Sequence, residues 1–217
     1  MLKKSSVFLK RKFRQNFKEQ LCKKDIRLLK NKNFVIISNN CWGGALYQWY
    51  KRSYNSPFIG MFIYGPCYLK LLSNFEYYMQ QKLQFVTASH YPDRAATYPI
   101  AKLGDIEIHF THYNSVEEAK TKWERRTARM LSETNIDDYY FKICDRERVT
   151  KEHILEFHKL PYKNKISFAL NNYDALKQEK HIKVTESHKN NKKYVPNGKK
   201  LFKLTFLYFD VNTWILS

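Results

Sequence analysis

None of the four cysteines, Cys22, Cys41, Cys67 and Cys144, stands in a Cys-x-x-Cys pair, which excludes a zinc ribbon and a thioredoxin-type motif. Four scattered cysteines in 217 residues form no secretory disulfide framework. No apolar run approaches the ~18 residues of a membrane span. Met1 to Arg14 is basic but lacks the apolar stretch and small-residue cleavage site of a signal peptide. These absences place the chain in a reducing cytoplasm. No internal repeat at solenoid periods is present. Glycine is scarce too, six residues in all, so two adjacent glycines mark a backbone with a special requirement.

What the chain does have is core material and positive charge. Hydrophobic residues make up 43% and aromatics 16%, enough to exclude global disorder. The formal net charge is +19, which fits an anionic partner: nucleic acid, an anionic membrane surface or a phosphorylated ligand. The bias toward Lys, Asn, Ile, Tyr and Phe is also what AT-rich coding produces, so the charge alone selects nothing. Its distribution is informative. Residues 1–32 hold twelve lysines and arginines against Glu19 and Asp25, a net +10. Phe13, Phe17 and Leu21 recur at i, i+4, i+8, one helical stripe flanked by Lys10, Arg11, Lys12, Arg14 and Lys18. Such a helix can lie on an anionic membrane, but packing the stripe on its own domain is commoner and is the expectation. The chain divides into a basic helical arm, 1–32, and one α/β domain, 33–217.

Within that domain, Phe34 to Ile37 reads as a buried strand. Polar Ser38-Asn39-Asn40, then Cys41 and Gly43-Gly44, lead into a helix through Tyr50. Strand patterns follow at Phe58–Tyr64 and Phe85–Thr87, with a helix over Tyr68–Leu83 and a loop bracketed by Pro92 and Pro99. Asp105 to Phe110 alternates, with Ile106, Ile108 and Phe110 on one face and Asp105, Glu107 and His109 on a half-exposed one. Ser115 with Glu118 forms a capping box for a helix to about Leu131, whose core stripe is Ala119, Trp123, Thr127 and Met130. Tyr139–Cys144 and Lys165–Leu170 read as strands, with a helix from the Thr150 cap to Leu160 between them. A hairpin ending in Leu201–Phe209 closes the chain. Strands alternating with helices predict an α/β domain with a mixed or largely parallel sheet and helices on both faces.

The chemistry concentrates at Ser38-Asn39-Asn40-Cys41-Trp42-Gly43-Gly44. A strand, a small polar turn and a helix N-terminus are how open α/β sheets build crevices. Cys41 at the helix start is a candidate nucleophile, its thiolate favoured by the helix dipole. Asn39 and Asn40 are candidate oxyanion donors, and Trp42 a candidate stacking face. Ser38, Gly43 and Gly44 complete the ligand-binding set, the glycines offering positive φ or close approach by a ligand. The spacing matches neither a dinucleotide fingerprint nor a P-loop.

This segment, followed in order by Ser56-Pro57-Phe58, Phe62-Ile63, Tyr98-Pro99-Ile100, Asp105-Ile106, His109-Phe110-Thr111-His112-Tyr113, Ser115, Glu118-Ala119, Lys122-Trp123 and Arg126, resembles the bacterial domain-of-unknown-function family numbered nineteen-nineteen. The resemblance covers roughly residues 30–170. It implies an α/β fold and a setting among exopolysaccharide and capsule biosynthesis proteins, without implying a reaction. The Asn40-Cys41 pair also resembles a turn of capsule acetyltransferases, in which Gln follows Cys; here Trp42 does.

His112, at a strand end, is the candidate general base toward Cys41, and the two are expected to converge because parallel strands open on one edge. His109 joins the ligand-binding set, and Arg126 is a candidate anion anchor. His109, His112 and Asp105 are a weak metal-ligand set, and none is assigned. Asp145 to Arg148 reads as a charged turn, His153 and His158 as surface residues, and Tyr47, Tyr50, Tyr77 and Tyr78 as packing. The sequence therefore points to a transferase of surface-polysaccharide assembly, using acyl-coenzyme A or a nucleotide sugar and acting on a glycan. The alternative is a non-catalytic binder of nucleic acid or anionic glycan. No RNP, KH, OB or helix-turn-helix signature supports nucleic acid.

Overall fold

The computed structural model describes residues 2–91, 96–133 and 135–217, and their side chains except at 2–8 and 133. In chain order the elements are α1 (Leu2–Asn16), α2 (Lys18–Leu28), β1 (Val35–Ser38), α3 (Trp42–Trp49), α4 (Gly65–Ser73), α5 (Phe75–Gln80), β2 (Leu83–Val86), β3 (Ile100–Leu103) and β4 (Ile106–His109). There follow α6 (Val116–Glu133), β5 (Tyr139–Cys144), α7 (Lys151–Lys159), β6 (Asn164–Ala169), β7 (His181–Lys183), α8 (Gly198–Tyr208) and α9 (Val211–Leu216).

Two sheets organise them. β1, β5, β6 and β7 lie side by side, every pair parallel, with Ile37 opposite Phe141 and Ser38 opposite Lys142. β2, β3 and β4 form a separate antiparallel sheet. The strand alternation of the parallel sheet creates two cores. Val35, Ile37, Phe141 and Ile143 point toward α4, α5, α6, α7 and the small sheet. Phe34, Ile36, Tyr140 and Phe168 point the other way, toward α3, α8 and α9. Both faces are thus covered by helices, as parallel sheets require. Each large apolar side chain so buried contributes roughly 1.5–3 kcal/mol of transfer free energy.

The caps read from sequence are present. Ser115 Oγ accepts from Glu118 N at 3.1 Å, and Thr150 heads α7 with a reciprocal bond to His153. Ala119, Trp123, Thr127 and Met130 are all buried.

Four expectations need correction. Phe58–Tyr64 is no strand: it makes an isolated bridge, Phe62 to His109, while Ile63 N donates to Asn39 O and Gly60 O accepts from His112 N. Gly60, at φ +73°, turns the chain before a ladder can form. The helix over Tyr68–Leu83 is two helices, broken at Asn74 with φ −142° and ψ 56°. The strand face carrying Glu107 and His109 is buried, not half-exposed, because the bridged Phe62 segment covers it. The C-terminal hairpin is a helix, α8. Asn197 caps it by accepting from Lys200 N at 3.0 Å, and Leu201, Phe202, Leu204 and Thr205 form its buried stripe at helical spacing. Pro92 of the expected loop lies outside the described residues.

The N-terminal stripe also departs from expectation. α1 and α2 dock through polar groups: Arg14 stacks on Phe206 and Trp49, and Asp25 accepts from Trp49 Nε1 at 2.9 Å. Phe13 and Phe17 remain exposed.

Candidate functional site

The seven residues Ser38 to Gly44 form a turn with two sides. β1 ends at Ser38, Cys41 is the residue before α3, and Trp42 opens that helix. Ser38, Asn39, Asn40, Trp42 and Gly43 are buried. Trp42 is sealed among Phe168, Phe202 and Trp214, and its Nε1 donates to Thr205 Oγ1 at 2.9 Å. It therefore cannot stack on a ligand, contrary to expectation. Neither glycine of the pair has positive φ. A Cβ on Gly43 would lie 3.1 Å from Ile36 Cγ2 and 3.3 Å from Ser38 Cβ, so this glycine lets α3 pack on β1.

The inner side of the turn is built on Lys142. This lysine of β5 is fully buried. Its Nζ donates to Asn39 Oδ1 at 3.2 Å and Asn40 Oδ1 at 3.1 Å. Burial lowers its pKa, opposed by the neighbouring Cys144. Asn40 Oδ1 also accepts from Trp42 N at 3.2 Å, and its Nδ2 donates to Cys144 Sγ at 3.1 Å. The two asparagines thus solvate a buried ammonium, and Asn40 also accepts from the first N–H of α3; their side chains do not line the cleft as oxyanion donors would. The start of α8 presses on the same turn. A Cβ on Gly198 would sit 2.5 Å from Trp42 N and 2.7 Å from Asn40 Oδ1, so only glycine permits this approach.

The outer side opens on a cleft of about 320 Å³. Cys41, Gly44 and Gln48 form one wall, Gly60, His112 and Tyr113 another, and Lys122, Arg126 and Lys199 supply the charge. Cys41 and His112 are anchored on adjacent residues: Cys41 Sγ lies 3.9 Å from Met61 O, and His112 N donates to Gly60 O at 3.0 Å. Thr111, next to His112, favours the ionised form of the Cys41 thiol. Cys41 and His112 therefore line one cleft, but not through neighbouring parallel strands as expected. β4 belongs to the antiparallel sheet, and the turn after it reaches Cys41 across the Gly60 segment. Gly60 leaves room for that turn: a Cβ there would meet Tyr113 Cε2 at 3.1 Å.

Electrostatics separate the thiol from its cationic surroundings. Burial and the Glu147 carboxylate push the Cys41 pKa up, against the smaller pull of Thr111 and Lys142. The resting group is a thiol, where a helix N-terminus alone predicted a thiolate. Arg126 is fixed by donating to Tyr113 Oη at 2.8 Å, and it stacks on Tyr54. Lys122 pairs with Glu118 one turn back. No carboxylate lines the cleft among the described residues.

Other predicted residues lie elsewhere. His109 is buried, its Nε2 2.7 Å from Glu107 Oε1 and its ring stacked on Phe62. Asp105 pairs instead with Lys70 and Tyr78. His158, expected at the surface, is buried with its ring nitrogens 3.1 Å from Glu179 Oε2 and 2.8 Å from Ser167 Oγ. Sequence reasoning missed Lys142, Lys199, Gly60 and Tyr113. A lone lysine inside Tyr139–Cys144 was the available signal for Lys142, and the Asn197-Gly198 cap was the signal for Lys199.

A family model described as Domain of unknown function (DUF1919) matches residues 10–215. An uncharacterized protein of Haemophilus influenzae is 37% identical over 160 residues, spanning 74% of this chain and 73% of that one.

Proposed function

The chain belongs to the DUF1919 family, and we propose that its cleft is the active centre of a group transferase in surface-polysaccharide assembly, taking an anionic donor such as acyl-coenzyme A or a nucleotide sugar. One observation carries this reading: Cys41 and His112 share a cleft with Lys122, Arg126 and Lys199, with no lining carboxylate. Arginine and lysine match phosphate or pyrophosphate. The polysaccharide setting rests on the resemblance carried by Ser38 to Arg126.

For an acyl-coenzyme A donor the steps balance as follows. The Cys41 thiol gives its proton to His112 as sulfur attacks the thioester carbonyl. The C–S bond to the coenzyme breaks, its thiolate takes the proton from His112, and the acyl group rests on Cys41. A glycan hydroxyl then attacks this new thioester and loses its proton to His112. The Cys41 sulfur departs and is reprotonated. The base is required because the thiol is held neutral by burial.

The test is intact-protein mass measurement after incubation with acetyl-coenzyme A. The expected result is one acyl group on the protein, absent in Cys41→Ser, with Arg126→Gln needing about tenfold more donor, equivalent to ~1.4 kcal/mol. The neutral thiol also favours a second reading, a non-catalytic binder of anionic glycan. Saturable thermal stabilisation by an anionic glycan, without a covalent adduct from any donor, would assign that one.

A further inference from the structure

The basic arm leaves part of its apolar stripe uncovered by its own domain. α1 and α2 attach through Arg11 to Glu186, Arg14 to Phe206 and Trp49, Cys22 to Trp49 O, and Asp25 to Trp49. Toward solvent the arm presents its lysines together with part of its apolar stripe. Leu9 is 65% exposed, Phe13 54%, Phe17 44% and Leu28 46%. Leu9, Phe13 and Phe17 recur at i, i+4 and i+8, a stripe that drifts by about 40° per step, and Leu28 lies on α2 beyond the break at Phe17. Phe13 and Phe17 stack at 4.6 Å between ring centroids. Beside them α2 carries a shallow groove lined by Gln20, Lys23, Lys24, Arg27 and Leu28, with no acid among its residues.

Exposed aliphatic and aromatic side chains beside a groove of three cations suit an interface where acyl chains end and anionic headgroups begin. A second copy of the chain fits poorly, because apposing two arms of net +10 each would bring like charges together. Single-stranded nucleic acid would use the phenylalanines but has no use for Leu9 and Leu28. The structure assigns this face to an anionic lipid bilayer: we infer that the arm lays Phe13 and Phe17 among the acyl chains while Lys23, Lys24 and Arg27 hold phospholipid headgroups, bringing the protein to a membrane surface.

Flotation of the full chain with vesicles tests it. The protein should float with vesicles of phosphatidylcholine mixed with phosphatidylglycerol, but not with phosphatidylcholine alone, and added salt should weaken binding. Phe13→Ser with Phe17→Ser should reduce binding at least roughly tenfold, the size expected from losing two buried rings. Lys23→Glu with Lys24→Glu should weaken binding and flatten its salt dependence. Because these side chains are exposed, unchanged thermal midpoints will show that the variants fold. Several results would overturn the inference: wild type that ignores the anionic vesicles, or a double serine variant that floats as well as wild type. So would a dimer in sedimentation that the double serine variant breaks, or nucleic-acid binding lost in that variant while vesicles are ignored.

Discussion

The two sides of the Cys41 turn are one residue apart in sequence and opposite in construction. On the inner side Asn39, Asn40, Trp42 and Gly43 are sealed, and each has a structural partner: Lys142, Cys144, Thr205 or Ile36. On the outer side Cys41 and Gly44 face a cleft whose cations, Lys199 and Arg126, have no carboxylate among the lining residues. The difference teaches that the rarest residue types in the segment were not rare for one reason. Tryptophan, one glycine and both asparagines build the platform; cysteine and the other glycine face outward. Stability resides on one side and the proposed chemistry on the other, and substitutions should separate them.

The largest expected effect is Trp42→Ala. It empties a sealed site and leaves Thr205 Oγ1 without its donor, so unfolding by urea should show a loss of about 4 kcal/mol. Asn40→Ala comes next. It removes an acceptor from a buried ammonium and from Trp42 N, and a donor from Cys144, with an expected loss of about 3 kcal/mol. If either variant proved as stable as wild type, the platform role of the inner side would fail.

The comparison also explains what could be read from sequence. Three of the four parallel-sheet strands, the Ser115 and Thr150 caps and the core stripe of α6 were legible because period and capping chemistry are local; β7, three residues long, was not read. That Cys41 immediately precedes α3 was legible for the same reason. The side to which each residue of the turn points was not, because it depends on Lys142 and Gly198, far away in sequence. α8 was mistaken for a hairpin because Leu201–Phe209 is apolar and aromatic, a composition shared by strands and buried helices. The exposure of Phe13 and Phe17 was illegible because the amphipathic stripe is the same whichever face docks. His158 looked like a surface residue because its partners, Ser167 and Glu179, come from later segments.

Lys142 gives the inner side a pH signature. Burial lowers its pKa below the ordinary 10.5, so the folded protein sheds this proton at lower pH than the unfolded chain does. Between the folded pKa and 10.5 the unfolded chain holds more protons, and stability therefore rises with pH. The slope from one group is at most about 1.4 kcal/mol per pH unit. Lys142→Met has no proton to shed. On moving from neutral to alkaline buffer, wild type should gain stability relative to that variant in urea titrations. Parallel curves would mean that the ammonium is not desolvated as its surroundings require.

The smallest stability effect belongs to the outer side, at Cys41. Cys41→Ser breaks no strong contact, since Sγ approaches Met61 O only at 3.9 Å, and it should shift the urea midpoint by less than about 0.5 kcal/mol. Its readout is reactivity. Cys67 and Cys144 are buried, whereas Cys41 and Cys22 are partly accessible, so iodoacetamide should modify the latter pair first. For Cys41 the modification rate should climb only above the ordinary thiol range, because burial and Glu147 raise its pKa. Glu147→Gln removes the second of these causes and should move the climb to lower pH. Pyrophosphate bound by Lys122, Arg126 and Lys199 would place another negative charge beside the sulfur and also block it, so it should slow modification of Cys41 while leaving Cys22 unaffected. Equal slowing at both cysteines would mean that the anion acts on the whole chain, and that the cleft has no special hold on it.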